Sequence, residues 1–270
     1  MVRRPRLLVP AFLIVATAVS AQTRVPDAET YGNPALYAER RAEWLSRVDK
    51  APNNVDVLEG AADFFLIRER PLAQDLYERA RGLEPNNPRW VEKLAQLHRL
   101  NAANGDVAAA RAALAALEQA RAMTAPTEQG LPTGLPMAAF DAGDLVKARA
   151  YATQLLEAAA NTSARNWDYG NAIHQANLVL GRIAVTEGRL ADAAKYLLAA
   201  GETPGSPQLN SFGPNMTLAR DLLERGDTTS VLKYFELCGK FWKMGGERLA
   251  TWTAQVQAGR IPQFGANLRY

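Results

Sequence analysis

Few residues in this chain could carry acid–base or metal chemistry. Its 270 residues include two histidines, His98 and His174, and a single cysteine, Cys238. The histidines lie far apart, and neither has a metal-ligating residue type one helical turn later. The sequence also lacks HExxH, GxSxG and CxxC motifs and a phosphate-binding glycine loop. We therefore expect no catalytic residue, no metal site and no cofactor, and interpret the chain as a non-enzymatic protein.

These three side chains are better explained by packing or by polar contacts. Cys238 lies in an apolar helical stretch, where a small buried residue is the ordinary interpretation. His98 occupies a position that needs a bulky packing residue, so we expect it at a helix interface. His174 stands beside Gln175 and Asn177, which leaves two alternatives open: a polar contact with a ligand, or a solvent-exposed start of a helix.

Residues 161–171 form the first of two segments that break the helical pattern. The segment contains Trp167 and Tyr169 among polar neighbours. Exposed aromatic residues in a polar setting are typical of recognition surfaces. The alternative, which we favour, is that both rings pack one helical unit against the next.

The second such segment covers residues 203–215 and contains three prolines and two glycines, together with Asn210 and Phe212. Long segments without regular structure are uncommon in compact folds and are often functional. The segment is predicted either to bind a partner or to act as a spacer between two helical units.

The first 21 residues have the features of a secretory signal peptide. Three arginines precede an apolar run over Leu7–Ala18, and small residues follow at 19–21. The run is shorter than the roughly 20 apolar residues of a membrane-spanning helix and contains a proline. We predict cleavage after Ala21, a periplasmic or secreted location, and no membrane insertion after cleavage. A retained anchor is the alternative.

The charge balance argues against an anionic polymer as the partner. The chain has 31 basic and 28 acidic side chains, but residues 1–21 contain three arginines and no acid. The remainder therefore carries 28 of each. Nucleic-acid-binding domains usually show a strongly basic face or a high pI. We thus expect no nucleic-acid partner and no general attraction to anionic membranes.

The elements that position these residues are predicted to be paired helices, repeated at a period of roughly 30-odd residues. The clearest unit covers residues 54–87, with helices predicted near 55–67 and 72–83. Small and aromatic residues recur where the two helices should touch: Ala61, Phe64, Ala73, Tyr77 and Ala80.

Four further units keep this register. The second begins at Pro88, and the fourth contains the pair Leu180-Gly181. Glycine–aspartate pairs mark the turns of the second, third and fifth units: Gly105-Asp106, Gly143-Asp144 and Gly226-Asp227. Glycine adopts positive φ without strain, and aspartate caps the next helix.

This pattern resembles the tetratricopeptide repeat over roughly residues 51–242. The resemblance implies an all-α fold, a right-handed α-α superhelix (a TPR-like solenoid) of about five hairpins with a concave groove. Capping helices are expected within 22–50 and 243–270, and the extended tail from Ile261 is expected to dock through Phe264 and Leu268. The family usually holds partners and rarely performs chemistry.

The resemblance also assigns groove-facing positions on the first helix of several units. These are Arg89, Glu92, Gln96, Gln175, Leu178, Arg182, Met216 and Arg220. Arg182 and Arg220 occupy equivalent positions and should share one wall, where two guanidiniums could bind a carboxylate. The alternative is that they pair with Glu187 and Glu224. The lysine–asparagine clamp of chaperone-binding members is not present.

Together these observations predict an exported scaffold that binds a protein or peptide partner through the concave face. Two alternatives stay open. One is a structural accessory subunit of a cell-envelope or secretion complex. The other is a glycan or small-molecule binder that uses Trp167 and Tyr169 as stacking surfaces.

Overall fold

A computed structural model describes residues 28–103, 105–124, 132–161 and 168–268. Within these residues the chain forms fourteen α-helices and two short 3-10 helices and no strand, which confirms the all-α prediction. The α-helices are α1 Ala28–Gly32, α2 Pro34–Lys50, α3 Val55–Phe65, α4 Arg70–Leu83, α5 Pro88–Ala102, α6 Val107–Met123, α7 Leu135–Asp141, α8 Leu145–Ala160, α9 Tyr169–Thr186, α10 Leu190–Gly201, α11 Pro207–Phe212, α12 Thr217–Leu223, α13 Thr228–Phe241 and α14 Gly246–Gln257.

The predicted signal peptide lies outside the described residues. Among the helices that are described, none combines the length and the apolar character required to cross a membrane.

The helices pack as neighbouring pairs. Five hairpins are formed by α3 with α4, α5 with α6, α7 with α8, α9 with α10, and α12 with α13. Each hairpin contacts the next one along the chain, and α2 and α14 pack against the first and last hairpins. The first helices of the last three hairpins also touch, since α9 contacts both α7 and α12. All three helices contribute residues to the cavity described below.

The glycine–aspartate pairs form the turns predicted for them. Gly105, Gly143 and Gly226 have φ values of 85°, 81° and 86°. Each following aspartate accepts a hydrogen bond of 2.9–3.0 Å from the backbone N–H three residues later: Ala109, Lys147 and Ser230. This geometry satisfies one of the free N–H groups at the start of each second helix.

The segment 203–215 is more regular than predicted. Residues Pro207–Phe212 form α11, so the expectation of a wholly irregular segment is wrong. Ser206 Oγ accepts from Leu209 N at 3.0 Å, and proline at the first helical position is compatible with the missing N–H. Thr203 Oγ1 donates to Gly170 O at 2.8 Å, which fixes the segment to α9.

The C-terminal tail docks as expected. Phe264 is 3% exposed, and its ring centroid lies 5.0 Å from that of Trp252 in an edge-to-face arrangement. Asn267 Nδ2 donates to Pro214 O at 2.9 Å, and Asn267 O accepts from Met216 N at 2.8 Å. The tail therefore closes over the segment that leads into α12.

The packing of Gly181 generates the first testable prediction. A β-carbon at Gly181 would collide with the Leu218 side chain of α12 and lie 3.1 Å from Tyr196 Cβ of α10. Gly181→Leu should therefore lower the free energy of unfolding by about 1–3 kcal/mol, the usual cost of overpacking. Thermal and urea unfolding of the variant and the parent protein would measure it.

The matched control is Gly82→Leu on α4, where nothing lies within 4 Å of the added β-carbon. This variant should be at least as stable as the parent. If both variants unfold at the parental midpoint, α9 and α12 are not in close contact at Gly181.

Candidate functional site

A cavity of about 1200 Å³ lies between the second hairpin and the C-terminal part of the chain. Its walls come from the start of α4, from α5, α6, α7, α9, α11 and α12, and from the tail. The volume exceeds the roughly 300–1,000 Å³ typical of small-molecule pockets. It is large enough for a segment of polypeptide.

Several residues predicted to face a groove line this cavity. They are Gln96 on α5, Gln175 and Arg182 on α9, Phe212 on α11 and Arg220 on α12. The side chain of Phe212 is 62% exposed at this wall. The structure thus brings Arg182 and Arg220 to one cavity, as their equivalent positions predicted.

Arg182 is held tightly by its neighbours. Its Nε lies 3.1 Å from Asp221 Oδ2, and its Nη1 lies 3.7 Å from Asp141 Oδ1. The guanidinium is 4.3 Å from the ring centroid of Phe140, a cation–π arrangement. These contacts fix the side chain between α7 and α12. They differ from the pairing with Glu187 that the alternative interpretation expected, because Glu187 pairs with Arg189 instead.

Arg220 is less completely paired. Its Nε forms an ion pair of 3.7 Å with Glu224 Oε1, as the alternative interpretation expected for this residue, and its Nη2 lies 3.7 Å from Asp221 Oδ1. Both distances are longer than a hydrogen bond. The Nε atom is buried and has no hydrogen-bond partner among the described residues. That atom is shielded from the cavity as it is from water. The part of Arg220 that a ligand could reach is the rest of its side chain, which is 37% exposed.

A third arginine, Arg99 on α5, also lines the cavity. Its guanidinium has no hydrogen-bonded or ion-paired carboxylate within the described residues. Arg99 and Asp141 both keep exposed surface, but the surrounding protein partly desolvates them. This desolvation lowers the pKa of Arg99, which the charge of Asp141 opposes, and raises the pKa of Asp141, which Arg182 and Arg99 oppose. Asp141 therefore lies in the field of two guanidiniums.

His174 is neither exposed nor directed at the cavity, so both alternatives for it were wrong. The side chain is fully buried. Nδ1 lies 3.0 Å from Ala200 O, and Nε2 accepts from Asn215 N at 3.1 Å. This pairing places the proton on Nδ1 and keeps the imidazole neutral. Burial lowers the pKa of His174 to about 4.

The ring of His174 supports the cavity from behind. It stacks on Tyr234, whose hydroxyl donates to Asn215 O at 2.9 Å. Asn215 itself lines the cavity. His174 is therefore a positioning residue for the segment between α11 and α12.

Other predicted site residues lie elsewhere. Asn177 is buried and donates to Ile173 O of its own helix at 2.8 Å, and Leu178 and Met216 are completely buried. The physical reason is that α9 packs against α7, α8, α10 and α12, so only a narrow strip of it faces the cavity. Tyr169 packs against a central apolar cluster that includes Leu155, Ala176 and Ile183, as the favoured alternative expected for it. Trp167 lies outside the described residues. The remaining predicted residues that are absent from the cavity wall are Arg89, Glu92 and Asn210.

The sequence interpretation missed Arg99, Asp141 and the tail residue Gln263, all of which line the cavity. Arg99 had a usable signal, because it lies three residues after Gln96 and therefore on the same helix face. The other two depend on how the hairpins and the tail come together, which no local spacing reveals.

No protein-family model matches this chain, and no curated protein is detectably similar to it. Within the described ranges, no group of three or more His, Cys, Asp and Glu side chains is arranged to hold a metal ion.

The buried His174 predicts a pH-dependent stability. Its pKa falls from an ordinary value of 6.5 to about 4 on folding. Between these values the unfolded chain binds a proton that the folded protein does not, so the free energy of unfolding decreases as the pH is lowered from about 6.5 to about 4. At about 1.4 kcal/mol per pKa unit, this group contributes a loss of about 3 kcal/mol.

Urea unfolding of the parent protein and of His174→Gln over this pH range would measure the effect. The variant should be less stable near neutral pH and should lose most of the slope. His98→Gln is the comparison: burial lowers the pKa of His98 as well, but by less, so this variant should keep most of the slope. Acidic groups, including Asp141, are unchanged in all three proteins and cancel in the comparison. An equal slope in His174→Gln would contradict the assignment.

Proposed function

We propose that this protein is an exported, non-enzymatic scaffold of TPR-like helical hairpins that binds an acidic segment of a protein partner in its cavity. Export is supported by the signal-like composition of residues 1–21. The scaffold role is supported by five hairpins packed in chain order, an arrangement that commonly offers extended concave binding surfaces.

One observation carries the choice of an acidic ligand. Arg99 and Arg220 line the same cavity, and neither makes a hydrogen bond to a carboxylate among the described residues. A guanidinium offers five donors in a planar fork and pairs with a carboxylate through two parallel bonds. Arg182 is already fixed by Asp221, so it contributes a positioned charge rather than a free binding group.

A further arginine adds to the positive field. Arg70 also lines the cavity, and its Nη1 donates to Leu100 O at 3.1 Å and to Asn101 Oδ1 at 3.2 Å. Both partners are neutral, so its charge is not compensated by these bonds. Two of the acids in the wall, Asp106 and Asp168, lie at the N-terminal ends of α6 and α9, where the helix dipoles favour a negative charge. The wall also contains Asp141, so its four arginines face three aspartates, a formal excess of one positive charge.

The alternative of a glycan bound between two stacking aromatic rings is less well supported. Tyr169 is partly buried against the central cluster, so its faces are used for packing. A purely structural accessory subunit would need no ligand in the cavity, and the binding experiment distinguishes that role.

The test is the binding of a fluorescein-labelled hexaglutamate peptide, followed by fluorescence anisotropy at low ionic strength. Arg220→Glu should weaken binding by roughly 2 kcal/mol or more, because it removes a donor fork and introduces a like charge. Arg99→Glu should act in the same direction. The control, Arg111→Glu, changes an exposed arginine of α6 outside this cavity and should bind like the parent.

Equal affinities for the parent, Arg99→Glu and Arg220→Glu would contradict the proposal, as would an absence of binding to the parent. Arg182→Glu needs separate treatment. It would place a third carboxylate beside Asp141 and Asp221, so it should also lower the melting temperature. Arg220→Glu, which alters a more exposed side chain, is the cleaner variant.

A further inference from the structure

We infer that the cavity recognises its peptide mainly through the peptide's main chain, by means of four glutamine side chains: Gln96, Gln175, Gln208 and Gln263. This inference rests on the proposed peptide-binding function and specifies the chemistry of the same site. It predicts a ligand whose acidic residues are required but whose precise sequence matters little.

The four glutamines come from four separate elements. Gln96 lies on α5, Gln175 on α9, Gln208 on α11 and Gln263 in the docked tail, and all of them line the cavity. They therefore come from several parts of the wall instead of forming one patch on a single helix.

These carboxamides are available for a ligand. Within the described part of the chain, the side chains of Gln96, Gln175 and Gln263 make no hydrogen bond. Gln208 Oε1 accepts from Asn171 Nδ2 at 2.9 Å, which orients the group and leaves its Nε2 donors unused. Asn171 Oδ1 in turn accepts from Ser206 Oγ at 2.6 Å, so Gln208 is connected to the capped start of α11.

The chemistry of a carboxamide matches that of a peptide group. Each offers an N–H donor and a C=O acceptor, so the two can form paired hydrogen bonds. A guanidinium only donates and a carboxylate only accepts. The arginines therefore suit acidic side chains of the ligand, whereas the glutamines suit its backbone. An extended backbone presents unpaired N–H and C=O groups along its whole length, and each group that is left unpaired on burial costs free energy.

Two other classes of ligand fit less well. Polyphosphate offers acceptors only, so it would leave the acceptor oxygen of each glutamine unpaired. A uronic acid oligomer offers hydroxyl donors, but glycans are usually held by stacking on aromatic faces, and among the described residues the cavity wall contains one aromatic side chain, Phe212.

The experiment compares four labelled probes by fluorescence anisotropy. They are hexaglutamate, hexaglutamate N-methylated at alternate residues, linear polyphosphate and hexagalacturonate. N-methylation removes backbone donors and keeps the side-chain charge. We expect the N-methylated peptide, polyphosphate and hexagalacturonate each to bind at least tenfold more weakly than hexaglutamate.

The variant Gln175→Met links the effect to the cavity. It keeps the side-chain length and removes both hydrogen-bonding groups, so it should weaken binding of hexaglutamate by about tenfold. It should also reduce the difference between the methylated and unmethylated peptides, which a change in peptide conformation alone would not do. Gln154→Met, at an exposed position of α8 outside the cavity, is the control and should bind both probes like the parent.

The outcomes separate this inference from the proposed function. Failure of hexaglutamate to bind the parent would overturn both. Equal binding of the methylated and unmethylated peptides, or parental behaviour of Gln175→Met, would overturn main-chain recognition and leave the acidic-peptide scaffold standing. Tighter binding of hexagalacturonate or polyphosphate than of hexaglutamate would overturn both in favour of a non-peptide anion.

Discussion

The cavity depends on the two hydrogen bonds of one buried imidazole. His174 on α9 is joined to Ala200 at the end of α10 and to Asn215 before α12. Burial of an aromatic ring provides apolar contact, but burial of its two nitrogens is tolerated only when both are paired. The structure meets this condition by bringing the backbone of Asn215 to the ring. The fourth and fifth hairpins are thereby held in a fixed relation.

Further contacts extend from this centre to the rim of the cavity. Tyr234 donates to the carbonyl of Asn215, and Asn267 of the tail pairs with Pro214 and Met216 on either side of it. The tail cannot leave without exposing these backbone groups and the ring of Phe264. This arrangement explains how a tail without long helices contributes Gln263 and Leu268 to a cavity wall.

A row of charged side chains from three helices lies beside the cavity. Asp141, Arg182, Asp221 and Arg220 alternate in sign across α7, α9 and α12. Asp221 neutralises Arg182 at hydrogen-bonding distance but reaches Arg220 only at 3.7 Å. The same carboxylate thus orders one arginine and leaves its neighbour able to accept a further anion. Arg182 is therefore fixed in place, whereas Arg220 keeps donors that a ligand could use.

The sequence by itself determined the local structure. Helical spacing, small contact residues and the Gly143-Asp144 type of turn predicted the paired helices, because caps and positive φ are decided within a few residues. The resemblance to a known repeat assigned Gln175, Arg182 and Arg220 to the groove-facing side of their helices. Helical spacing could not predict that His174 and Leu178 are buried, because their burial depends on how many helices surround α9. Nor could it bring Arg99, Asp141 and Gln263 together, since contacts between residues distant in the chain are set by packing and not by local propensity. Tertiary structure therefore decided which polar residues form hydrogen bonds within the fold and which face the cavity, where a ligand can reach them.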